Sequence, residues 1–178
     1  HVNFAKESGV EENGNPISMI PPGSGMIVMA GNNVEVFENQ IYNHKTTGMA
    51  ILSYQITELK VPVHAGWSPF STNIYFHNND FKKNINIPNM TKKFGQLITA
   101  KYHKPQDVIY DGIVDDTKPN NNGNPMNICI KEKSADLRFT KFEIPASGNV
   151  MDIVVNNDIS KFKTCKVAVT TNVSFDKQ

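Results

Sequence analysis

The chain has 178 residues, 18 basic against 17 acidic side chains, and a formal net charge of +1. That length is enough for one domain with its own core, and 39% hydrophobic residues with 9% aromatics exclude disorder by composition. The near-neutral balance argues against a nucleic-acid binder, which needs a basic stripe, and no run of 18 apolar residues is present to span a membrane. Twenty-two residues are Asn, many more than are Asp, alongside 11 Gly and 10 Pro. These are turn formers for different reasons: tolerance of the left-handed backbone, a missing Cβ, and a fixed φ. With few Ala and many short Val and Ile runs, the composition predicts an all-β chain of many turns.

The opening His1-Val2-Asn3-Phe4 is neither a signal peptide nor an initiator sequence, and it reads as a start partway through something longer. Residues 1–24 are polar and turn-rich and read as loop. Two runs of strand length follow, Met26 to Ala30 and the alternating Val34-Glu35-Val36-Phe37, each bounded by turn residues. The pattern then recurs. Gly25-Met26-Ile27-Val28-Met29 aligns with Gly48-Met49-Ala50-Ile51-Leu52, 23 residues later. Asn33 to Val36 with Asn39-Gln40-Ile41 aligns with Asn73 to Phe76 with Asn79-Asp80-Phe81, 40 residues later, and the excess is carried by an inserted loop from Gln55 to Thr72. A weaker third copy is Asp107 to Ile113, and later strand candidates are Asn127–Ile130, Met151–Val155 and Cys165–Val169.

A period of about 20–25 residues, with short strands and Asn or Gly at the corners, is a solenoid signature. Stacking such coils about 4.8 Å apart buries a continuous core and pairs the strands in parallel. Asn suits the corners because it adopts the left-handed conformation, and stacked Asn side chains can hydrogen-bond up the column. The fold expected is therefore an all-β solenoid of parallel coils over residues 1–178, with irregular C-terminal loops. An antiparallel sandwich with coincidental similarity is the alternative. The two cysteines, Cys129 and Cys165, lack metal-site spacing, and by themselves leave open one bridge or two separate buried thiols.

These residues resemble the right-handed parallel β-helix repeat proteins of bacteria. The likeness is carried by Val2-Asn3-Phe4-Ala5, Pro21 to Met26, Val34 to Asn39, Thr46-Thr47-Gly48 through Tyr54, and later by Tyr110-Asp111-Gly112-Ile113 and Ile128-Cys129-Ile130. It is strong from 1 to 81 and looser after that. The resemblance implies that the chain is the C-terminal part of a larger β-helix, that Cys129 and Cys165 form a disulfide, and that the protein is exported to the periplasm, cell surface or extracellular space. It also implies polysaccharide as the ligand class, since the wider group includes pectate and alginate lyases, polygalacturonases and mannuronan epimerases.

Lyases and epimerases need a cation at the uronate carboxylate, a base and an acid, whereas hydrolases need paired carboxylates. Aligning the copies puts Phe37, His77 and Asp111 on one outward column and Glu35, Tyr75 and Ile109 on the column beside it, with His77, Asp111 and Tyr75 as the catalytic candidates. A surface pair with no task is the other reading. Asp115-Asp116 reads as a solvated loop, and Asp111, Asp115 and Asp116 are a weak Ca²⁺ candidate, without the EF-hand pattern. In the inserted loop Trp67, Lys60 and His64 are the substrate-binding candidates, because an aromatic face stacks on sugar C–H groups. The alternative for Trp67, with Phe70 and Leu59, is an anchor for the loop. Ile27, Met29, Ala50 and Leu52 would face outward and need cover from that loop or a partner. Asn89-Met90-Thr91 and Asn172-Val173-Ser174 are glycosylation sequons, relevant only in a eukaryotic secretory pathway.

The incomplete acid–base–cation set points first to an exported carbohydrate-binding or surface-interaction module. A polyuronate lyase or epimerase is the alternative, and a purely structural solenoid segment a third. No cofactor beyond the Ca²⁺ candidate is implied. An open N-terminal coil would expose unpaired strand edges, so a protein contact or residues 1–24 are expected to cover it.

Overall fold

The computed structural model describes residues 20–57, 60, 65–82, 87–145, 147, 149 and 152–165. Four short strands come first: β1 (Ser24–Met29), β2 (Asn32–Phe37), β3 (Gln40–Tyr42) and β4 (Thr47–Leu52). A 3-10 turn at Tyr54–Thr57 leads towards β5 (Thr72–His77) and β6 (Asp80–Lys82). Then come helix α1 (Lys93–Tyr102), β7 (Gln106–Tyr110), a 3-10 turn at Asn121–Gly123 and β8 (Ile128–Lys131). β9 (Phe139–Glu143), β10 (Val154–Asn156) and the short α2 (Ser160–Lys163) complete the described elements.

The strands form three separate sheets, ordered β1-β4-β7-β9-β10, β2-β5-β8 and β3-β6. Two alignments read from the sequence are strand partners in the same register. Met26 pairs with Met49 and Val28 with Ile51, while Val34 pairs with Ile74, Val36 with Phe76 and Ile41 with Phe81, all parallel. Asn makes the corner between layers. Asn33, Asn73 and Asn127 have φ of 57°, 54° and 52°, in the left-handed region where L residues other than Asn are disfavoured. Their amides form a ladder, with Asn127 Nδ2 donating to Asn73 Oδ1 at 2.8 Å and Asn73 Nδ2 to Asn33 Oδ1 at 3.0 Å.

The expectation of an all-β right-handed parallel β-helix is nevertheless corrected. The fold is mixed α/β, with about 17% helix and 36% strand in small separate sheets, and no regular solenoid is found among the described residues. The 23-residue step holds only between β1 and β4. The next step, from Met49 to its partner Val108, is more than twice as long and contains α1, and the last strand of that sheet, β10, runs antiparallel to β9. The third copy, Asp107 to Ile113, belongs with the first sheet and not the second. Val108 pairs with Met49 and Phe139, not with Ile74, whose partner is Ile128. The reason is physical: all five residues of β7 are buried, so its sequence carries no in–out alternation to say which column it belongs to.

Two apolar cores result. One lies between the sheets and contains Met49, Ile51, Ile74, Phe76, Val108, Ile128 and Ile130. The other lies on the outer face of the first sheet, where Ala50, Leu52, Ile109 and Phe142 meet Leu97 and Ile98 of α1 and Ile153. The apolar outer face foreseen from Ile27, Met29, Ala50 and Leu52 is thus covered mainly by α1, with Ile56 of the inserted loop packed at its margin. α1 exists because Phe94, Leu97, Ile98 and Tyr102 fall on one helical stripe, and burying that stripe stabilises by roughly 1.5–3 kcal/mol per large side chain. Gly95 lets the Asn89 carbonyl lie against the helix, and His103, with φ of 58°, closes it through an N–H bond to the Thr99 carbonyl. Helix α2 contributes Phe162 to the first core, against Tyr110 and Phe139. Residues 1–19, His64, Leu59, Met151, 166–169 and the sequon at Asn172, named from the sequence, lie outside the described residues.

Candidate functional site

The second sheet differs from the first in having polar and aromatic side chains on its outer face. Alternation from the inward Val34, Ile74 and Ile128 puts Glu35, Tyr75 and Cys129 outward in one row, and Phe37, His77 and Lys131 in the next. Neighbours within a row are one strand spacing apart, which brings their side chains into contact. The Phe37 and His77 rings stack at 5.3 Å with 6° between planes, and Tyr75 stacks on His77 at 4.1 Å. Lys131 Nζ stands 5.7 Å from the centre of the Tyr75 ring, a cation–π geometry. Phe37, on the sheet's edge strand, is 47% exposed.

His77 is held at both nitrogens. Nε2 lies 2.9 Å from Glu35 Oε1, and Nδ1 lies 3.0 Å from Asn78 Nδ2. An amide nitrogen only donates, so Nδ1 is the acceptor, and Nε2 carries the proton given to Glu35. No lone pair is left over for a general base. Below the row, Asn79 Nδ2 donates to Glu132 Oε1 at 2.7 Å and Asn79 N–H to Glu132 Oε2 at 2.8 Å. Burial holds the Glu132 carboxyl above the usual carboxylate range, opposed by those two Asn79 bonds and by His77. Asn79 also joins the layer above, its Oδ1 accepting from Asn39 N–H and Nδ2, each at 3.0 Å.

Cys129 and Cys165 form a disulfide, with Cα atoms 5.6 Å apart. The cystine occupies the third layer of the outward row that begins with Glu35 and Tyr75, and this buries Cys129 completely although its position faces away from the core. Lys131 Nζ also donates to the Cys165 carbonyl at 3.4 Å.

The structure brings His77 and Tyr75 together but not Asp111. That residue follows β7 of the first sheet, and the strand position beside His77 is taken by Lys131. Asp111 is 1% exposed, and both its oxygens are used. Oδ2 accepts from Ser53 N–H at 2.5 Å and Oδ1 from Ile113 N–H at 3.0 Å. Burial outweighs these bonds and pushes its carboxyl up to about 7. It ties the end of β4 to the turn after β7. Asp115 is engaged separately, accepting at Oδ1 from Thr117 N–H and Oγ1, so the Ca²⁺ candidate is not assembled; no group of three or more His, Cys, Asp or Glu positioned for a metal occurs among the described residues.

Trp67 meets Tyr54 edge to face at 5.6 Å, beside the point where Tyr54 N–H and Ser53 Oγ donate to the Pro69 carbonyl. Trp67 is 36% exposed, so its ring is held at one edge and otherwise open to solvent. Lys60 is exposed. Sequence reasoning put Phe37 in the column of His77 and Glu35 in that of Tyr75 without naming either as a site residue, and it missed Lys131. The strand pairing that unites Phe37 and His77 was legible, but Lys131 needed the true partner of β5.

Comparison with protein-family models, curated proteins and solved structures finds no match for this chain. No helix among the described residues is long and apolar enough to cross a membrane.

Proposed function

We propose that the protein is a non-catalytic, exported binding module that holds a carbohydrate chain on the outer face of β2, β5 and β8. The observation that carries this reading is the row Phe37, His77, Lys131 with Tyr75 stacked beside it. Aromatic surface lies next to fixed hydrogen-bonding groups, and the row repeats at the strand spacing. A linear polymer of sugar rings lying across the strands meets a new side chain at each step. The half-exposed Phe37 ring offers apolar surface to sugar C–H groups, while Glu35, Asn78 and Lys131 offer acceptors and donors to hydroxyls. Glu35 accepts from His77 and Lys131 lies against the Tyr75 ring, so the acidic and basic side chains of this row are already engaged, which favours a neutral glycan over a polyuronate.

Two features support a binding role over catalysis. The His77 nitrogens are both engaged, and Asp111 is a buried structural carboxyl on another sheet. The disulfide and the lack of a membrane-crossing helix among the described residues are compatible with export.

A glycan array followed by calorimetry tests the proposal. Saturable binding to a neutral glycan is expected, weakened about tenfold or more by Phe37→Ala and by Tyr75→Ala, with Trp67→Ala unchanged. Loss of binding in Trp67→Ala alone would move the site to the inserted loop. Absence of binding to every glycan would sink the reading, as would unsaturated products released from pectate or alginate.

A further inference from the structure

At the C-terminal end of β7, beside the core between the sheets, lies a cavity of about 290 Å³, close to the lower end of the range of small-molecule sites. Tyr110 and Phe162, both packed in that core, stand at its base with their rings edge to face at 5.8 Å. Two lysines from different elements enter it, Lys141 of β9 and Lys161 of α2. Lys141 is the register partner of Tyr110, so its side chain stands on the same, inward side of the first sheet. Each lysine lies over a glycine of the cavity wall. A Cβ on Gly112 would come to 3.0 Å from Lys141 Cε, and one on Gly123 to 2.9 Å from Lys161 Nζ. No acidic side chain is found among the described lining residues. Asp111, next to Gly112 in the chain, is turned to Ser53 and Ile113, and Asp158, whose charge reaches Lys161, is exposed and accepts from Ser160 N–H. Among the described residues neither amine has a carboxylate at ion-pair distance.

We infer that this cavity binds a small polar phosphate monoester, with its phosphate group held by Lys141 and Lys161. Charge selects the occupant. Two ammonium groups in one small cavity repel each other, and a bound group of opposite charge relieves that repulsion. A phosphate monoester carries about −1.5 to −2 at neutral pH and so matches two amines, whereas one carboxylate matches one. A neutral molecule leaves both amines unmatched. Lysine presents its charge as a point on a flexible stem with three donors, which suits phosphate oxygens. A cavity at the small-molecule scale leaves room for the organic part beside the phosphate. The site is separate from the second-sheet face and does not depend on the carbohydrate reading.

The test is calorimetric titration of the full chain with glycerol 3-phosphate, inorganic phosphate, glycerate and glycerol, at fixed ionic strength and about pH 8, where the phosphate is dianionic. Glycerol 3-phosphate is expected to bind saturably, glycerate at least about tenfold more weakly, and glycerol not at all. Lys141→Met and Lys161→Met keep the apolar stem and remove the charge. Each, checked for an unchanged urea midpoint, should weaken glycerol 3-phosphate about fivefold or more. Lys118→Met, at an exposed lysine that does not line the cavity, and Phe37→Ala on the second sheet should leave it unchanged. Binding retained in full by both cavity variants would overturn the inference, as would equal weakening by Lys118→Met, which would mean diffuse surface attraction. So would glycerate binding as tightly as glycerol 3-phosphate, or a wild-type protein that binds neither phosphate compound. Inorganic phosphate binding as tightly as glycerol 3-phosphate would overturn the monoester and leave a site for the free ion.

Discussion

At matched outward positions the first sheet carries Ala50 and Ile109, and the second carries Tyr75 and Cys129. Inward, the two sheets are alike: Met49 and Val108 in one, Ile74 and Ile128 in the other, all fully buried. Parallel pairing and side-chain alternation settle the inward face in both. What differs is the cover outside. The first sheet is roofed by α1, β9's Phe142 and Ile153, so β4 and β7 are buried along their whole lengths and read as continuous apolar runs. Among the described residues the second is covered by its cystine at one layer, and elsewhere it carries half-buried or exposed rings and charges. A sheet with two buried faces is specified by packing, and one with a single buried face has its other face free for recognition.

The largest expected effect breaks this comparison directly. Ile109→Ala, outward but fully buried, should cost about 2–5 kcal/mol in urea unfolding, while Tyr75→Ala at the matched outward position should cost under about 1 kcal/mol. Similar losses at both would mean that the second sheet is covered as the first is. Next, replacing both Cys129 and Cys165 by Ser should lower stability by about 2–4 kcal/mol, because the bridge closes a loop of 36 residues and roofs the third layer. A thermal midpoint that does not move on adding reductant to the wild type would contradict this.

Asp111 sharpens the comparison through pH. Its carboxyl is raised to about 7 in the fold against an ordinary value of 3.8, so the native state keeps a proton that the unfolded chain releases. Its contribution is therefore fully present below about pH 4 and is lost as pH rises to about 7, by on the order of 1–3 kcal/mol. His44 works oppositely: burial holds it below the ordinary histidine value, so its contribution is lost as pH falls through and below about 6.5. Chemical denaturation between pH 4 and 8 should show the decline in wild type and a flatter profile in Asp111→Asn; parallel profiles would remove Asp111 as the cause. The smallest effect is at the corner. Asn73→Ala should cost about 1–2 kcal/mol, and Asn73→Gly less, because Gly regains the left-handed backbone but not the ladder bonds.

Much of the local pairing was legible. Met26 could be aligned with Met49 because each opens a continuous apolar run after a Gly, and Val34 with Ile74 because each segment alternates and follows an Asn. The Asn corners were legible for the same reason, since few other residues accept φ near +55°. Two elements were overlooked. α1 had a readable stripe in Phe94, Leu97, Ile98 and Tyr102, hidden by its setting among strand-like runs, and β9 lay in Phe139-Thr140-Lys141-Phe142, whose short alternation went unweighed. Of the candidate site, His77 and Tyr75 were found and Phe37 was in the right column. Asp111 was drawn in by a register that β7, buried on both faces, could not report.

The sequence by itself determined the strands β1, β2, β4 and β5, the inward faces of β2 and β5, and where Asn must bend the chain. All three follow from local alternation and backbone sterics. Only the tertiary structure decided that β7 pairs with β4 instead of β5, that a helix roofs one sheet, and that His77 has Glu35, Phe37 and Lys131 as its company. Those outcomes depend on contacts between segments far apart in the chain, where several apolar runs fit the same position equally well until packing selects one.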